Sequence, residues 1–347
     1  MDYIHKKIAL VGATGNVGRK IMEILCDSKF PLENVFLYAS KNSAGKPLSV
    51  RDKQHIHPVQ ALEDCDFSQI DIALFATENN VSKEYIPCAL ENHCRVIDSS
   101  SFYRLQEGIP LIVPPVNGDQ IKQHDRLIAA ANCLASPLSI VLSSLMSVAP
   151  IRRAVVTTFQ STSGAGKGSM DELEQQTHSY FNQQPLIPRY FPRQIAFNLF
   201  PQVGEILEDN FCTEEVKIVK ETQKILNTPI PILATTTRVP VFIGHSIAIV
   251  VEFSENFSMQ TIKEKLRSMP GIRLVDHHGS DYLTPVECQN QNDVFVGRLR
   301  RDPTVSHGLS LWTVSDNLRR GAALDTVEIL QLMLNGSAEG SGQNPIG

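Results

Sequence analysis

The sequence lacks three features that would assign it to a special class of protein. Its seven cysteines include no C-x-x-C pair, which argues against a disulfide framework and a cysteine-based zinc site. No apolar run approaches the roughly 18 residues of a membrane-spanning helix, and residues 1–7 contain no signal-peptide core. Acidic residues outnumber basic ones by 37 to 32, so no basic field attracts nucleic acid or anionic lipid. We therefore expect a cytoplasmic protein without a metal site, a nucleic-acid partner or a membrane.

What the sequence does contain is the pattern of a two-domain α/β protein. Its 347 residues, 42% hydrophobic and 20% charged, suit two globular domains. The spacing of Val17, Ile21, Ile24 and Leu25 predicts an amphipathic helix between two short apolar runs. Such runs, apolar on both faces as buried parallel strands are, occur at 8–11, 35–38, 72–75, 96–97, 111–113 and 127–129. Their alternation with helical patterns predicts a doubly wound sheet.

The pattern changes near residue 132. Ser136 as N-cap and Pro137 at the first helical position predict the start of a helix. A last helix, beginning after Ser315-Asp316-Asn317, is long enough to return to the first domain. Strands of a second, α+β domain are predicted at 155–159, 233–242 and 246–253. We predict one domain from residues 1–131 and 316–336, a second from 132–315, and a disordered tail at 337–347.

A glycine-rich loop follows the first strand and opens the first helix. Its glycines, from Gly12 to Gly18, are spaced G-x-x-G-x-x-G. Glycines there let backbone N–H groups approach a pyrophosphate at the positive end of a helix, so the loop predicts a Rossmann-type dinucleotide site. The alternative is a glycine-rich turn. After the second strand, Ser40, Lys41 and Ser43 stand where an NAD site carries an acidic residue, which favours NADP over a merely solvated turn.

Among the cysteines, Cys133 has the most suggestive position. It lies between an apolar strand and the predicted start of a helix, at the junction of the two domains. Helix N-termini favour thiolates, and cofactors bind at the carboxyl ends of parallel strands. From position alone, a buried structural cysteine remains the simpler interpretation.

Five motifs occur together in one order along the chain. They are the glycine loop, Asn132-Cys133, Gln160-x-x-Ser163-Gly164-Ala165-Gly166, Arg238-x-Pro240-Val241 with His245 seven residues beyond the arginine, and Ser315-Asp316-Asn317-Leu318-x-x-Gly321-Ala322-Ala323. This set resembles the aspartate-semialdehyde dehydrogenase family over about residues 6–334. The resemblance implies a Rossmann-type NADP-binding domain with an α+β substrate and dimerisation domain, in a homodimer or a tetramer. It also implies reduction of β-aspartyl phosphate by NADPH to aspartate semialdehyde and phosphate, in lysine, threonine, methionine and diaminopimelate biosynthesis.

The resemblance also implies roles for individual residues. Cys133 matches the nucleophile that forms a thioester, Gln160 the residue that orients the intermediate, and His245 the acid and base. The substrate-binding residues that match are Arg238 for the α-carboxylate, Glu214 for the α-ammonium, and Lys217, Arg104 and Asn132 for the phosphate. The cofactor-binding residues that match are Gly12, Thr14, Gly15, Asn16, Val17, Gly18, Ser40, Lys41, Ser43, Ser163, Gly164 and Asn317.

The chain departs from the family pattern at several places near these residues. Ala130-Ala131 replaces a polar pair before the nucleophile, and Leu134-Ala135 replaces another after it. Asn42 replaces an arginine that binds the cofactor's 2′-phosphate, and Glu78 places a carboxylate near the cofactor diphosphate. Because the chemical residues are retained, we interpret these changes as drift or as tuning of cofactor affinity.

Three other functions are compatible with parts of the pattern. N-acetyl-glutamyl-phosphate reductase shares the acyl-phosphate chemistry, but its blocked amine has no use for Glu214. A non-catalytic dinucleotide sensor would tolerate the altered loop around Cys133. A thiol-dependent hydrolase or transferase would use Cys133 and His245 without a dinucleotide loop.

Overall fold

The computed structural model describes residues 5–50, 53–54, 58–275 and 282–336. The described residues form two compact units, one up to Ala131 and again from Ala322, the other Asn132–Gly321. The tail predicted at 337–347 lies outside the described residues. Within the described part of the chain, no helix is both long and apolar enough to cross a membrane.

The first unit is built on a parallel seven-stranded sheet. Including a separate pair, β3 and β4, the strands of this unit are β1 (Ile8–Val11), β2 (Val35–Ala39), β3 (Ser49–Val50), β4 (Lys53–Gln54), β5 (Gln60–Ala61), β6 (Ile72–Phe75), β7 (Arg95–Asp98), β8 (Leu111–Ile112) and β9 (Leu127–Ala130). The sheet has the order β5-β2-β1-β6-β7-β9-β8, while β3 and β4 form a separate antiparallel pair. Every pairing in the large sheet is parallel. The predicted doubly wound sheet is confirmed.

Helices cover both faces of this sheet, because its strand residues are apolar on both sides. The helices of this part are α1 (Asn16–Asp27), α2 (Asn79–Glu91) and α3 (Pro114–Asn117). Ile21 and Leu25 of α1 join one buried cluster with alternate residues of β1, and Ile86 and Ala89 of α2 join the cluster on the opposite face.

The second unit contains a mixed six-stranded sheet. Its strands are β10 (Ile151–Gln160), β11 (Ile232–Arg238), β12 (His245–Phe253), β13 (Ile272–Leu274), β14 (Val294–Asp302) and β15 (Gly308–Ser315), in the order β11-β10-β12-β15-β14-β13. Its helices are α4 (Ala135–Met146), α5 (Lys167–Phe181), α6 (Thr213–Leu226) and α7 (Met259–Ser268). Strand β10 runs parallel to β11 and antiparallel to β12. The predicted α+β class of this part is confirmed.

The chain then returns to the first unit. A π-helical segment, Arg319–Ala323, precedes α8 (Leu324–Gly336), whose Val327 and Leu330 lie in the same buried cluster as Ile8 of β1. The 3₁₀ turns of the described chain are Leu32–Asn34, Lys41–Ser43, Leu62–Asp64, Phe67–Gln69, Gly118–Gln120 and Thr162–Ala165.

Three local expectations differ from the structure. Helix α4 begins at Ala135, so Ser136 lies inside it and is not its N-cap. Strand β11 ends at Arg238, before 242, and β10 separates it from β12. The return to the first unit comes after Gly321 and not after 315, because Asp316 makes its side-chain hydrogen bonds inside the second unit.

Candidate active site

The Cys133 thiol lies at the start of α4. The side-chain oxygen of Asn132 accepts the N–H groups of Leu134 at 2.8 Å and Ala135 at 3.4 Å, and its carbonyl accepts the N–H of Ser136 at 3.0 Å. Asn132 therefore accepts the N–H groups of the turn that leads into α4, with Cys133 directly after it, while Leu134 occupies the N-cap position. Cys133 is half-buried, and the partial positive charge at the N-terminal end of a helix favours negative charge on a thiol placed there.

Other cysteines are held in the thiol form by burial. None of the seven forms a disulfide bond, and Cys94, Cys212 and Cys288 are buried. Burial raises the pKa of Cys94 and Cys288 to about 12 and the pKa of Cys65 to about 11. These three are poor nucleophiles at neutral pH.

Gly321 packs directly on the backbone of Cys133. A Cβ atom at this position would come 2.5 Å from the Cα atom of Cys133 and 3.1 Å from the carbonyl oxygen of Asn132. Its φ angle of +82° is also one that residues with a side chain rarely adopt. Both features require glycine here, which gives the last sequence motif a physical meaning.

The strand arrangement brings Gln160, Arg238 and His245 to one edge of the sheet. Gln160 and Arg238 are register partners at the carboxyl ends of the parallel strands β10 and β11. Strand β12 is antiparallel to β10, so its first residue, His245, lies beside the end of β10. All three side chains are buried.

Hydrogen bonding determines the tautomer of His245. The backbone N–H of Ser161 donates to Nδ1 of the ring at 3.0 Å, so Nδ1 carries a lone pair and the neutral ring carries its proton on Nε2. Nε2 itself is buried with no hydrogen-bond partner among the described residues. Burial, and next the positive charge of Arg238, lower the pKa of His245 to about 3. The ring is therefore neutral in the free protein.

Arg238 faces the same space as Nε2. A Cβ atom on Gly164 would come 3.1 Å from Nε2 of His245 and 3.2 Å from Nη1 of Arg238. Nη1 donates to the carbonyl of Ser161 at 2.6 Å. Burial lowers the pKa of Arg238, and the negative charges of Glu214 and Cys133 oppose this. The arginine therefore lies within electrostatic reach of the thiol and of a carboxylate.

Helix α6 supplies acidic side chains to the nucleophile loop. Glu214 accepts the side-chain N–H of Asn132 at 3.0 Å, and Glu221, two turns later, accepts its backbone N–H at 2.8 Å. Lys217 is half-buried on the same helix. Glu215 instead accepts the N–H groups of Cys212 and Thr236, and so fixes the start of α6 against β11.

Asn317 connects two segments that contact His245. Its carboxamide oxygen accepts the N–H of Gly244 at 2.9 Å and the hydroxyls of Ser161 and Ser163 at 3.1 Å. The Gly244 donor fixes which way the amide points. Asn317 is 2% exposed, so its side chain is engaged inside the second unit.

The predicted dinucleotide loop lies in the first unit and has the close approaches that require glycine. A Cβ atom on Gly12 would come 2.3 Å from the carbonyl oxygen of Ala76, and one on Gly18 would come 2.2 Å from that of Gly12. Gly15 is the N-cap of α1 and offers no side-chain cap, and the first turn of α1 contains no acidic residue. These features fit a diphosphate at the helix start. The other predicted residues of this loop, Thr14, Asn16 and Val17, are half-buried.

The remaining predicted residues of the first unit are placed after strand ends. Ser40, Lys41 and Ser43 follow β2, and Nζ of Lys41 lies 3.7 Å from Oε1 of Glu63. Arg104 is buried and donates to the carbonyls of Ala130 at 2.9 Å and Ser99 at 2.7 Å.

Several of these contacts were not predicted from the sequence. Ser161, Glu221 and Gly321 were not singled out as site residues, and Glu63 was not expected near Lys41. Gly321 carried a local signal as part of the last motif, and so did Glu221, which lies seven residues after Glu214 and thus on the same helix face. Among the described residues, no cluster of His, Cys, Asp and Glu could hold a metal ion.

This arrangement is typical of a class of protein: dehydrogenases with a dinucleotide-binding unit and a reactive cysteine. Residues 7–124 match the family model described as semialdehyde dehydrogenase, NAD binding domain, and residues 142–320 match the one described as semialdehyde dehydrogenase, dimerisation domain. The aspartate-semialdehyde dehydrogenase of Rickettsia bellii is 42% identical over 94% of this chain and 97% of its own. That of Aquifex aeolicus is 37% identical, with 94% and 98% covered.

Solved structures give the same result. Aspartate semialdehyde dehydrogenase II from Vibrio cholerae has a TM-score of 0.90 at 38% identity, covering 95% of this chain and 98% of its own. The same enzyme complexed with ASA has a TM-score of 0.91. The chain therefore belongs to the aspartate-semialdehyde dehydrogenase family, which confirms the resemblance seen in its motifs.

Proposed function

We propose that this protein reduces β-aspartyl phosphate to aspartate semialdehyde with NADPH, through a thioester on Cys133. The observation that carries the proposal is the hydrogen bond from Asn132, the residue before Cys133, to Glu214, whose negative charge and that of Cys133 both act on the pKa of Arg238. A guanidinium and a carboxylate beside one thiol suit the α-carboxylate and α-ammonium of an amino acid whose side-chain carbonyl is attacked.

The chemistry divides into two halves at the thiol. In the first, the thiolate sulfur of Cys133 bonds to the acyl carbon and the C–O bond to phosphate breaks, which releases inorganic phosphate. In the second, the thioester is reduced to the aldehyde and the thiolate is restored. When bound, NADPH would supply the hydride for this reduction. Gln160, at the end of β10, is our choice for orienting the acyl oxygen, and Lys217, Arg104 and Asn132 for binding the phosphate.

His245 is the proposed acid and base, and its tautomer determines whether the ring first acts as a proton donor or as a proton acceptor. With Nδ1 occupied by the N–H of Ser161, the neutral ring presents an N–H at Nε2. A neutral imidazole can stabilise the negative oxygen of a tetrahedral intermediate by hydrogen bonding. The ring then starts a turnover as a donor, and the helix start at α4, not His245, favours the thiolate.

For the cofactor, we propose NADP over NAD. The family relationship supports a nicotinamide dinucleotide in general. Support for NADP is the cluster of Ser40, Lys41 and Ser43 after β2, where a cation and hydroxyls suit a 2′-phosphate. Ser163, Gly164 and Asn317 are the proposed nicotinamide-side contacts. Glu63 near Lys41 works against the preference by reducing its positive charge.

We also propose a homodimer formed by the second unit. Residues 142–320 match a dimerisation domain. One face of its sheet is open in the single chain, since alternate residues along its strands are half-exposed or exposed: Val155, Thr157, Phe159, Leu233, Thr235, Ala248, Val250 and Trp312. Such a continuous, largely apolar face suits a second copy of the chain. A tetramer would need a further surface. The cytoplasm is our proposed location, because its reducing conditions suit free thiols.

A phosphate-dependent assay tests the function. Aspartate semialdehyde, phosphate and NADP should yield NADPH, and Cys133→Ala should reduce the rate at least about a thousandfold. Cys88→Ser is the matched control, because Cys88 is an exposed free cysteine in the first unit, and it should keep the wild-type rate. A parallel assay with N-acetyl-glutamate semialdehyde tests the nearest alternative. Reaction with the acetylated substrate alone would contradict the proposal, and so would NADP-responsive behaviour without turnover of either substrate.

A further inference from the structure

Glu221 is a buried acidic residue that the proposed chemistry does not use. Its carboxylate oxygen accepts the backbone N–H of Asn132 at 2.8 Å, and its side chain is 1% exposed. Its negative charge also opposes the lowering of the Lys224 pKa by burial. A buried carboxylate costs free energy unless it is hydrogen-bonded and compensated. A carboxyl group buried this deeply therefore calls for a specific reason.

The position of Asn132 supplies that reason. Four of its groups are held: the N–H by Glu221, the side-chain N–H by Glu214, the side-chain oxygen by the first N–H groups of the α4 segment, and the carbonyl by Ser136. The next residue is Cys133. Consecutive Cα atoms are about 3.8 Å apart across a planar peptide. Hydrogen bonds that hold Asn132 therefore also fix the position of the Cα atom of Cys133, from which the thiol extends.

The two glutamates hold Asn132 in different ways. Glu214 binds its side chain and is also the proposed partner of the substrate ammonium, so its contacts change when substrate binds. Glu221 instead binds the backbone N–H of Asn132, which the proposed chemistry does not involve. It lies two helical turns from Glu214 on the same face of α6. Glu221 is thus the contact that can stay in place throughout the reaction.

We infer that Glu221 is a positioning residue for the nucleophile, which acts by holding the N–H of Asn132 and so the placement of the Cys133 thiol. This inference rests on the proposed role of Cys133. It extends that role by making a backbone hydrogen bond from α6 a requirement for the chemical step, because a displacement of about 1 Å at a reacting atom can cost about a hundredfold in rate.

Two conservative substitutions separate the hydrogen bond from the charge. Glu221→Gln keeps the length of the side chain and an acceptor oxygen but removes the charge. Glu221→Asp keeps the charge but shortens the side chain by one methylene, so that it cannot reach the N–H of Asn132. We expect kcat to fall at least about tenfold in Glu221→Asp and to stay within about threefold of wild type in Glu221→Gln. KM for aspartate semialdehyde should change little in either.

Glu215 provides the matched control on the same helix. It is also a buried glutamate that accepts backbone N–H groups, from Cys212 and Thr236, but it has no bond to the Asn132 segment. Glu215→Asp should lower the melting temperature as Glu221→Asp does, while its kcat stays within about threefold of wild type. A merely structural role for Glu221 would instead make the two variants alike.

The outcomes are decisive in each direction. Wild-type kcat in Glu221→Asp, an equal loss in Glu221→Gln, or an equal loss in Glu215→Asp would overturn the inference. Alkylation of Cys133 by iodoacetamide, followed by mass spectrometry, gives a measure that needs no turnover. We expect it to be at least about threefold slower in Glu221→Asp only. If Cys133→Ala retained activity, the proposed function would fail, and this alkylation rate would still test the positioning.

Discussion

The backbone N–H of Ser161 donates to Nδ1 of His245 at 3.0 Å, and this bond determines which ring nitrogen carries the proton. The other nitrogen, Nε2, is left buried and unbonded within the described residues, facing the space shared with Arg238. A second proton would have to bind Nδ1 and displace the N–H of Ser161, and it would place a positive charge in a buried ring beside a guanidinium. Burial and the charge of Arg238 both oppose this, which explains the low basicity of His245.

This low basicity predicts an acid-labile protein. Burial lowers the pKa of His245 to about 3, whereas an unfolded histidine has a pKa of about 6.5. Between these values the unfolded chain binds one more proton, so the free energy of unfolding falls as pH falls below about 6.5. From pH 7.5 to pH 5, this one group should cost about 2 kcal/mol.

Urea unfolding at those two pH values measures the effect. His245→Gln, which has no titrating ring, should lose less stability than wild type over the same interval, by about the same 2 kcal/mol. Above about pH 7 the two proteins should show the same pH dependence. Equal losses of unfolding free energy in wild type and His245→Gln would show that the pKa of His245 is not lowered in the folded protein.

Gly321→Ala should impair activity beyond its effect on stability. The added methyl group would meet the Cα atom of Cys133 at 2.5 Å, so the nucleophile must move. We expect kcat to fall at least about tenfold. Gly108→Ala is the matched control, because Gly108 has a similar φ angle of +75° but no atom within 4 Å of an added Cβ. It should lose about 1 kcal/mol of stability and keep its kcat. Similar kinetics in the two variants would contradict the proposed packing.

The cofactor preference should depend on the balance between Lys41 and Glu63. Lys41→Ala should lower kcat/KM for NADPH about tenfold with little change for NADH, because only the former has a 2′-phosphate. Glu63→Gln should change the ratio the other way, since its carboxylate lies 3.7 Å from the ammonium. Lys46→Ala, at another exposed lysine, is the control. Steady-state rates with both cofactors give the ratio of kcat/KM for NADPH to that for NADH. An unchanged ratio in Lys41→Ala would show that Lys41 does not contact the 2′-phosphate.

Self-association should depend on the open sheet face of the second unit. Leu233 is 52% exposed on that face, so Leu233→Glu should leave the fold intact and place a charge in the proposed interface. Light scattering should then find monomers where wild type forms dimers, or dimers where it forms tetramers. Leu332→Glu, on α8 and 37% exposed, should leave the assembly unchanged. If Leu233→Glu assembled as wild type does, the interface between the two copies would lie elsewhere.

Much of the fold could be predicted because its determinants are local. Strands apolar at every position, such as β1, and the spacing of the glycines from Gly12 to Gly18 are readable within a few residues. The start of α4 was misplaced because Ser136 and Pro137 form a good local start signal, whereas the N-cap position is held by Leu134 and the preceding turn by Asn132. The limit of local reasoning is clearest at the bond between Asn132 and Glu221, which are 89 residues apart.

The strand order of the second sheet shows the same limit. Successive strands β11 and β12 are separated by β10, so the proximity of Arg238 to His245 depends on a non-local pairing. The family motifs named both residues as members of one predicted set, but only the register of β10 with its two neighbours places them together. Sequence pattern thus identified the chemical groups, and long-range pairing determined their geometry.

The open sheet face has one more consequence. Trp312 lies on it, 5.4 Å from the ring of Phe159, and it is the single tryptophan of the chain. An indole emits at shorter wavelength when water is removed from around it. The intrinsic fluorescence of Trp312 therefore reports on the surface proposed to contact a second copy of the chain. If the unlabelled protein dissociates on dilution, its emission maximum should shift to longer wavelength.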